Sequence, residues 1–150
     1  MPEGIEEQGR CATINFLDAV TLTGDFADNT SEAYQVSPFA QLEFIFDYTM
    51  NGSETGNKAI AKILFSEDGT NYHEYSISQE GTPSSKVVES TLHARRFVVE
   101  GTAGVKESRW YAVPTSAKWV KVAAMESGIA SNGGVFTAKA RVSNDLEIRK

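Results

Sequence analysis

The sequence predicts an all-β fold, a two-sheet antiparallel β-sandwich of the jelly-roll type with eight or nine strands. Three observations carry this expectation. No segment holds a helical hydrophobic period over eleven or more residues. Clusters of Gly, Pro, Asn, Asp and Ser recur about every ten residues, and several of the runs between them alternate apolar with polar side chains. Long loops mixed with short hairpins favour a two-sheet roll.

Each element follows from its residues. Residues 1–10 are acidic, aperiodic and carry two glycines, which predicts a flexible arm. The β-branched and aromatic content of Ala12 to Thr23 predicts a first strand or a pair of short ones, followed by a loop over 25–32. Pro38 cannot donate to a ladder and suits a strand start. From Gln41 to Tyr48 the alternation is clean. Leu42, Phe44, Phe46 and Tyr48 share one face, while Gln41, Glu43 and Asp47 share the other with Ile45. Next comes a polar loop over 51–57. Ala59, Ala61, Ile63 and Phe65 then form the core face of a hairpin arm that turns through Asp68-Gly69, the pair that most readily supplies positive φ.

Gly81 to Ser85 breaks the chain again, residues 86–89 and 95–100 read as short strands, and residues 108–113, closed by Pro114, precede the most strongly patterned pair. In the last two runs the apolar sets are Val120, Val122 and Ala124, then Phe136, Ala138, Ala140 and Val142. If these runs pair through the loop over 127–134, one outer face collects Trp119, Lys121, Lys139 and Arg141. That would be a cationic patch beside an aromatic ring, a candidate contact for a partner. The expected core includes Leu42, Phe44, Phe46, Ile63, Phe65, Val120, Val122, Phe136 and Ala138. The expected organisation is an arm (1–10), one sandwich domain (11–143) and a tail (144–150).

At 150 residues a single domain should bury roughly 70% of its unfolded surface, enough for a core without staples. Cys11 is the single cysteine, so no internal disulfide can form. The opening Met1-Pro2-Glu3 lacks a basic-then-apolar pattern, and no apolar run approaches the ~20 residues that span a bilayer. The expected location is the cytoplasm or a particle assembled there, without membrane association. The net charge of −6 is divided unevenly: residues 1–75 hold three basic against thirteen acidic side chains, residues 76–150 eleven basic against seven acidic. Such lopsidedness reads as a device for packing copies head to tail or for docking on a charged surface, or simply as solvated strand faces that differ in sign. Without a basic stripe and its aromatic platforms, nucleic acid is not an expected partner.

Chemistry-bearing patterns are sparse. His73 and His93 are the two histidines, and neither a Gly-x-Ser-x-Gly elbow nor a His-Glu-x-x-His pair occurs. Asp25, Asp28 and Asn29 offer hard oxygen ligands, yet their spacing departs from the twelve-residue calcium loop and matches ordinary turn chemistry. No catalytic residue, metal or cofactor is assigned, and no enzyme activity is expected. Exposed aromatic rings can serve as sugar platforms, with Trp110 and Tyr111 as candidates and Tyr72, Tyr75 and Trp119 also available.

Two motifs, Ser66-x-Asp68-Gly69-Thr70-Asn71-Tyr72 and Trp119-Val120-Lys121-Val122, make residues 40–143 resemble the small jelly-roll decoration, or cement, proteins and related accessory proteins of tailed-bacteriophage virions. The resemblance implies a non-enzymatic structural protein located in the virion. It would attach to the major capsid protein or another virion protein as a homo-oligomer, commonly a trimer, with termini reaching to neighbours. It brings no shared catalytic residues. The alternative is a carbohydrate-binding module or a virion domain that recognises host glycan.

Overall fold

The computed structural model describes residues 11–36, 40–80, 90–114 and 117–144. The expected arm, Pro38, the break and strand over 81–89 and the tail from 145 onward lie outside these residues. In chain order the elements are β1 (Cys11–Thr21), a 3-10 turn (Phe26–Asn29), β2 (Tyr34–Gln35), β3 (Ala40–Thr49), β4 (Lys58–Ser66), β5 (His73–Glu74), β6 (Ser76–Glu80), β7 (Ser90–Ala94), β8 (Arg96–Glu100), β9 (Lys106–Pro114), β10 (Trp119–Ser127) and β11 (Val135–Asn144).

One sheet has the order β1-β11-β3-β9; the other runs β2-β10-β4, with β5 and β8 pairing the far side of β4. β6 and β7 form a separate hairpin. Setting aside β5 to β7, eight strands remain, and they pair first with last, second with seventh, third with sixth and fourth with fifth, every pair antiparallel. The chain is thus one long hairpin rolled into two sheets, a jelly roll. The three additional short strands are inserted between its fourth and fifth members.

The core lies between the sheets because strand alternation sends every second side chain inward. Leu42, Phe44, Phe46 and Tyr48 from β3 meet Ala59, Ala61 and Ile63 from β4, Val120, Val122 and Ala124 from β10, and Phe136, Ala138 and Ala140 from β11. Stacked rings run along it, Phe16 on Phe44, Phe44 on Phe46 and Phe46 on Phe136, at centroid distances of 5.8, 5.8 and 5.7 Å. Of the expected core, Phe65 is half-buried, set edge-on to Tyr75 at 5.9 Å near the margin.

The Asp-Gly motif joins β4 to β5 through a six-residue loop, 67–72, rather than a two-residue turn. Asp68 Oδ1 accepts from the amides of Thr70 and Asn71, both at 2.8 Å, and Asp68 Oδ2 from Asn71 Nδ2. The two backbone amides, chiefly that of Asn71, hold the Asp68 carboxyl well below the usual carboxylate range. Gly69 takes φ +78 and lies so near the Trp119 indole that a Cβ would sit 3.1 Å from it.

One expectation needs correction. β10 and β11 do not pair: the segment 128–134 carries the chain from one sheet to the other, as consecutive strands of a rolled hairpin must. Among the described residues, charges from the two halves of the chain also meet. Strands from the two halves of the chain alternate within each sheet, which brings some acidic and basic side chains together. Glu43 faces Arg141 at 3.8 Å, and Glu74 binds Arg96, with Arg96 Nη2 donating to Glu74 Oε1 at 3.1 Å.

Candidate functional site

The inward set of β3 forces Gln41, Glu43, Ile45 and Asp47 onto the outer face of the four-stranded sheet. The register extends these into cross-strand rows. Asn15, Lys139, Ile45 and Trp110 form one row, and Thr13, Arg141, Glu43 and Ala112 the next. Ile45 is 8% exposed although it points away from the core, whereas Trp110 beside it is 58% exposed. Lys139 and Trp110 are the cross-strand neighbours that flank Ile45 on this face. The result is a platform with an accessible indole, an apolar base and the cations Lys139 and Arg141, the latter with Glu43 at 3.8 Å. Alongside, Ser108 Oγ donates to Asp47 Oδ1 at 2.5 Å.

The expected four-residue patch is therefore split. Lys139 and Arg141 share this face with Trp110, while Trp119 and Lys121 lie on the outer face of the other sheet. There Trp119 packs on Gly69, and Lys121 Nζ sits 4.1 Å from the Tyr72 ring centroid, so both fasten the 67–72 loop. Tyr111, next to Trp110 in sequence, turns to the opposite side of β9.

Tyr111 enters a cleft of about 290 Å³ where the β8 and β9 edges of the two sheets meet, lined by Tyr75, Arg95, Phe97, Tyr111, Ala112 and Val113. Phe97 lies 4.5 Å from Tyr111 and 6.4 Å from Tyr75, centroid to centroid, and the Arg95 guanidinium is 5.8 Å from the Phe97 ring. Rings and one cation can hold a planar or anionic group, but this lining supplies no nucleophile paired with a base. Arg95 and Phe97 are not singled out from the sequence, and Tyr75, an available ring there, is not expected beside Tyr111, because the topology alone joins them to β9. Ile45 carried a signal: it is the apolar exception in the polar set of β3.

The Asp25, Asp28 and Asn29 side chains serve their own turn. Asp25 Oδ1 accepts from the Ala27 amide at 3.0 Å, Asp28 Oδ2 from Thr23 Oγ1 at 2.6 Å, and Asn29 Nδ2 donates to the Thr21 carbonyl at 3.1 Å. Among the described residues no cluster of three or more His, Cys, Asp or Glu side chains could hold a metal ion. His73 is exposed on β5.

Two carboxylates are buried at the opposite end from the Asp68 loop, and both organise loops. Glu54, 4% exposed, accepts from the amides of Ala130, Ser131 and Asn132, each at 2.8 Å, and from Asn57 Nδ2 at 2.9 Å. The Ala130 amide foremost, then Asn57 and the other two amides, lower its pKa to about 2. Glu126, on an inward position of β10, accepts from the Gly134 amide at 2.7 Å, from Asn57 Nδ2 at 2.9 Å and from the Tyr48 hydroxyl. Burial, and then the hydrogen bond to Glu126, keep that hydroxyl protonated well above the ordinary tyrosine range.

No protein-family model and no curated protein sequence matches the chain. Among solved structures it is similar to a chain of the T13 infectious bursal disease virus particle, with a TM-score of 0.55 and 10% identity over 90% of this chain and 31% of that one. It is similar likewise to a chain of the infectious bursal disease virus Gx strain, with a TM-score of 0.52 and 13% identity over 90% of this chain and 32% of that one. A match to a Clostridium thermocellum xylanase 10B containing CBM22-1 and GH10 modules is looser, with a TM-score of 0.40, 10% identity and coverage of 90% and 26%, and carries no argument. The chain spans about a third of the length of the two virus-particle chains, and what it shares with them is the jelly-roll fold.

Proposed function

We propose that the chain is a non-enzymatic structural protein of a virion, a decoration protein that attaches to a capsid lattice through the outer face of its four-stranded sheet. The observation that carries this reading is the row Lys139, Ile45 and Trp110 with Arg141 and Glu43 beside it. An exposed indole over an apolar base, ringed by charges of both signs, has the make-up of a protein-contact centre. A sandwich is stiff, so such a face presents the same shape to every lattice site. Attachment of several copies sums modest contacts through effective concentration.

The test is co-sedimentation of the purified chain with undecorated capsids of tailed phage at low and high salt. Wild-type chain should pellet with the particles, and Trp110→Ala and the double reversal Lys139→Glu, Arg141→Glu should each abolish pelleting. Lys121→Glu, on the other face, should not. Chain that stays in the supernatant at every salt concentration overturns the reading. A second reading, recognition of host glycan, is favoured by the 58% exposure of Trp110 beside a cation. Quenching of its fluorescence by a host polysaccharide, lost in Trp110→Ala, would put that reading first.

A further inference from the structure

β9 is an edge strand that lacks the protection its counterpart has. It pairs with β3 on one side through nine consecutive residues without a register shift, and it has no strand on the other side among the described residues. The opposite edge of the same sheet, β1, is broken by two register shifts and by Ala19 at φ 50. Bulges of that kind keep edges from pairing with other chains. In β9, by contrast, Lys106, Ser108, Arg109, Trp110, Ala112 and Pro114 are all exposed. A straight, exposed edge is a template for another strand.

We infer that the partner is a second copy of this chain, its β9 antiparallel to the first across a two-fold axis at Ser108. Alternate residues of an edge strand aim their hydrogen bonds outward, so a residue can pair only with one of equal parity on the other copy. Among the two-fold registers this leaves, centring on Glu107 or on Arg109 sets like charges face to face, and centring on Lys106 does the same. Centring on Trp110 puts Glu107 against Val113. Centring on Ser108 sets Glu107 opposite the second copy's Arg109 on one face, and Lys106 opposite its Trp110 on the other, each pair occurring twice. Two four-stranded sheets become one of eight strands, and the contact is isologous.

This pairing deepens the virion reading by naming how copies associate, and it departs from the trimer that the resemblance implies. It is tested in solution without particles, so a chain that dimerises but never pellets with capsids fails the virion reading alone. Sedimentation equilibrium should show a dimer that weakens with salt. Arg109→Glu should weaken it about tenfold, since each reversal acts twice. Adding Glu107→Arg to that variant should restore it to within about threefold of wild type. In a Cys11→Ser background, Ser108→Cys should form an intermolecular disulfide under mild oxidation. Glu107→Cys should not, because that register holds the two residues 107 about 7–8 Å apart. A monomer at all concentrations, a trimer, or a charge swap that fails to rescue would each overturn the proposal.

Discussion

Asn57 and Glu126, 69 positions apart in the chain, meet inside the sandwich, where Asn57 Nδ2 donates to Glu126 Oε2 at 2.9 Å. The same amide nitrogen donates to Glu54 at 2.9 Å. Two buried carboxyl groups are thereby held by one amide group, backbone N–H groups and a tyrosine hydroxyl. The arrangement fixes the orientation of Asn57, since its Oδ1 facing either carboxylate would be repelled.

Asn57→Asp keeps the shape and exchanges that donor for an acceptor facing two carboxylates. We expect it to cost about 3–5 kcal/mol, in line with breaking a buried charged network. Urea denaturation at neutral pH measures it, and a loss below about 1 kcal/mol would show the network to be dispensable.

Acid should loosen the end of the sandwich held by Glu54. Its pKa falls from an ordinary 4.5 to about 2 on folding, so the native state holds fewer protons than the unfolded chain between those values. The stabilisation is complete above the unfolded pKa and is lost as pH falls from about 4.5 towards 2. Thermal melts of wild type should decline across that window. Glu54→Gln should be less stable at pH 7 and show a shallower decline, and equal slopes in the two proteins would refute the assignment.

Gly133 and Gly134 are irreplaceable for steric reasons. A Cβ at Gly133 would sit 2.0 Å from the Leu22 carbonyl oxygen, and one at Gly134 2.6 Å from that of Thr49, both rigid backbone atoms. Gly133→Ala should cost at least about 3 kcal/mol, the upper end of overpacking penalties. Gly56→Ala, where φ is +75 but nothing lies within 4 Å, should cost about 1 kcal/mol from backbone strain alone. Melting the two variants side by side separates close contact from strain.

Phe44 is fully buried within the ring stack, and Phe44→Ala should lose about 3–5 kcal/mol. Trp110→Ala should shift stability by less than about 0.5 kcal/mol, because the indole is exposed on the outer face and lies outside the core. Equal losses in both variants would mean that the outer face is part of the folding core rather than a surface kept for contact.

Local pattern determined a good deal of this protein. The two-residue period of residues 41–48 identifies the inward faces of β3, and the runs around 120–124 and 136–142 do so for β10 and β11, because side-chain direction in a strand is set by the backbone next to it. Asp68-Gly69 marked the link from β4 to β5, and the spacing of turns pointed to many short strands, although the described residues hold eleven against the eight or nine expected. Strand partners were not legible: a hairpin reading joins β10 to β11, whereas the rolled chain places them in opposite sheets. That one difference separated Lys121 from Lys139 and brought Trp110 to Lys139 instead. It also converted a charge imbalance along the chain into cross-strand pairs such as Glu43 with Arg141. The buried partnership of Glu54, Asn57 and Glu126 depended on tertiary structure for the same reason. Alternation encodes which way a residue faces, while closure of the roll, a property of the whole chain, decides what it meets there.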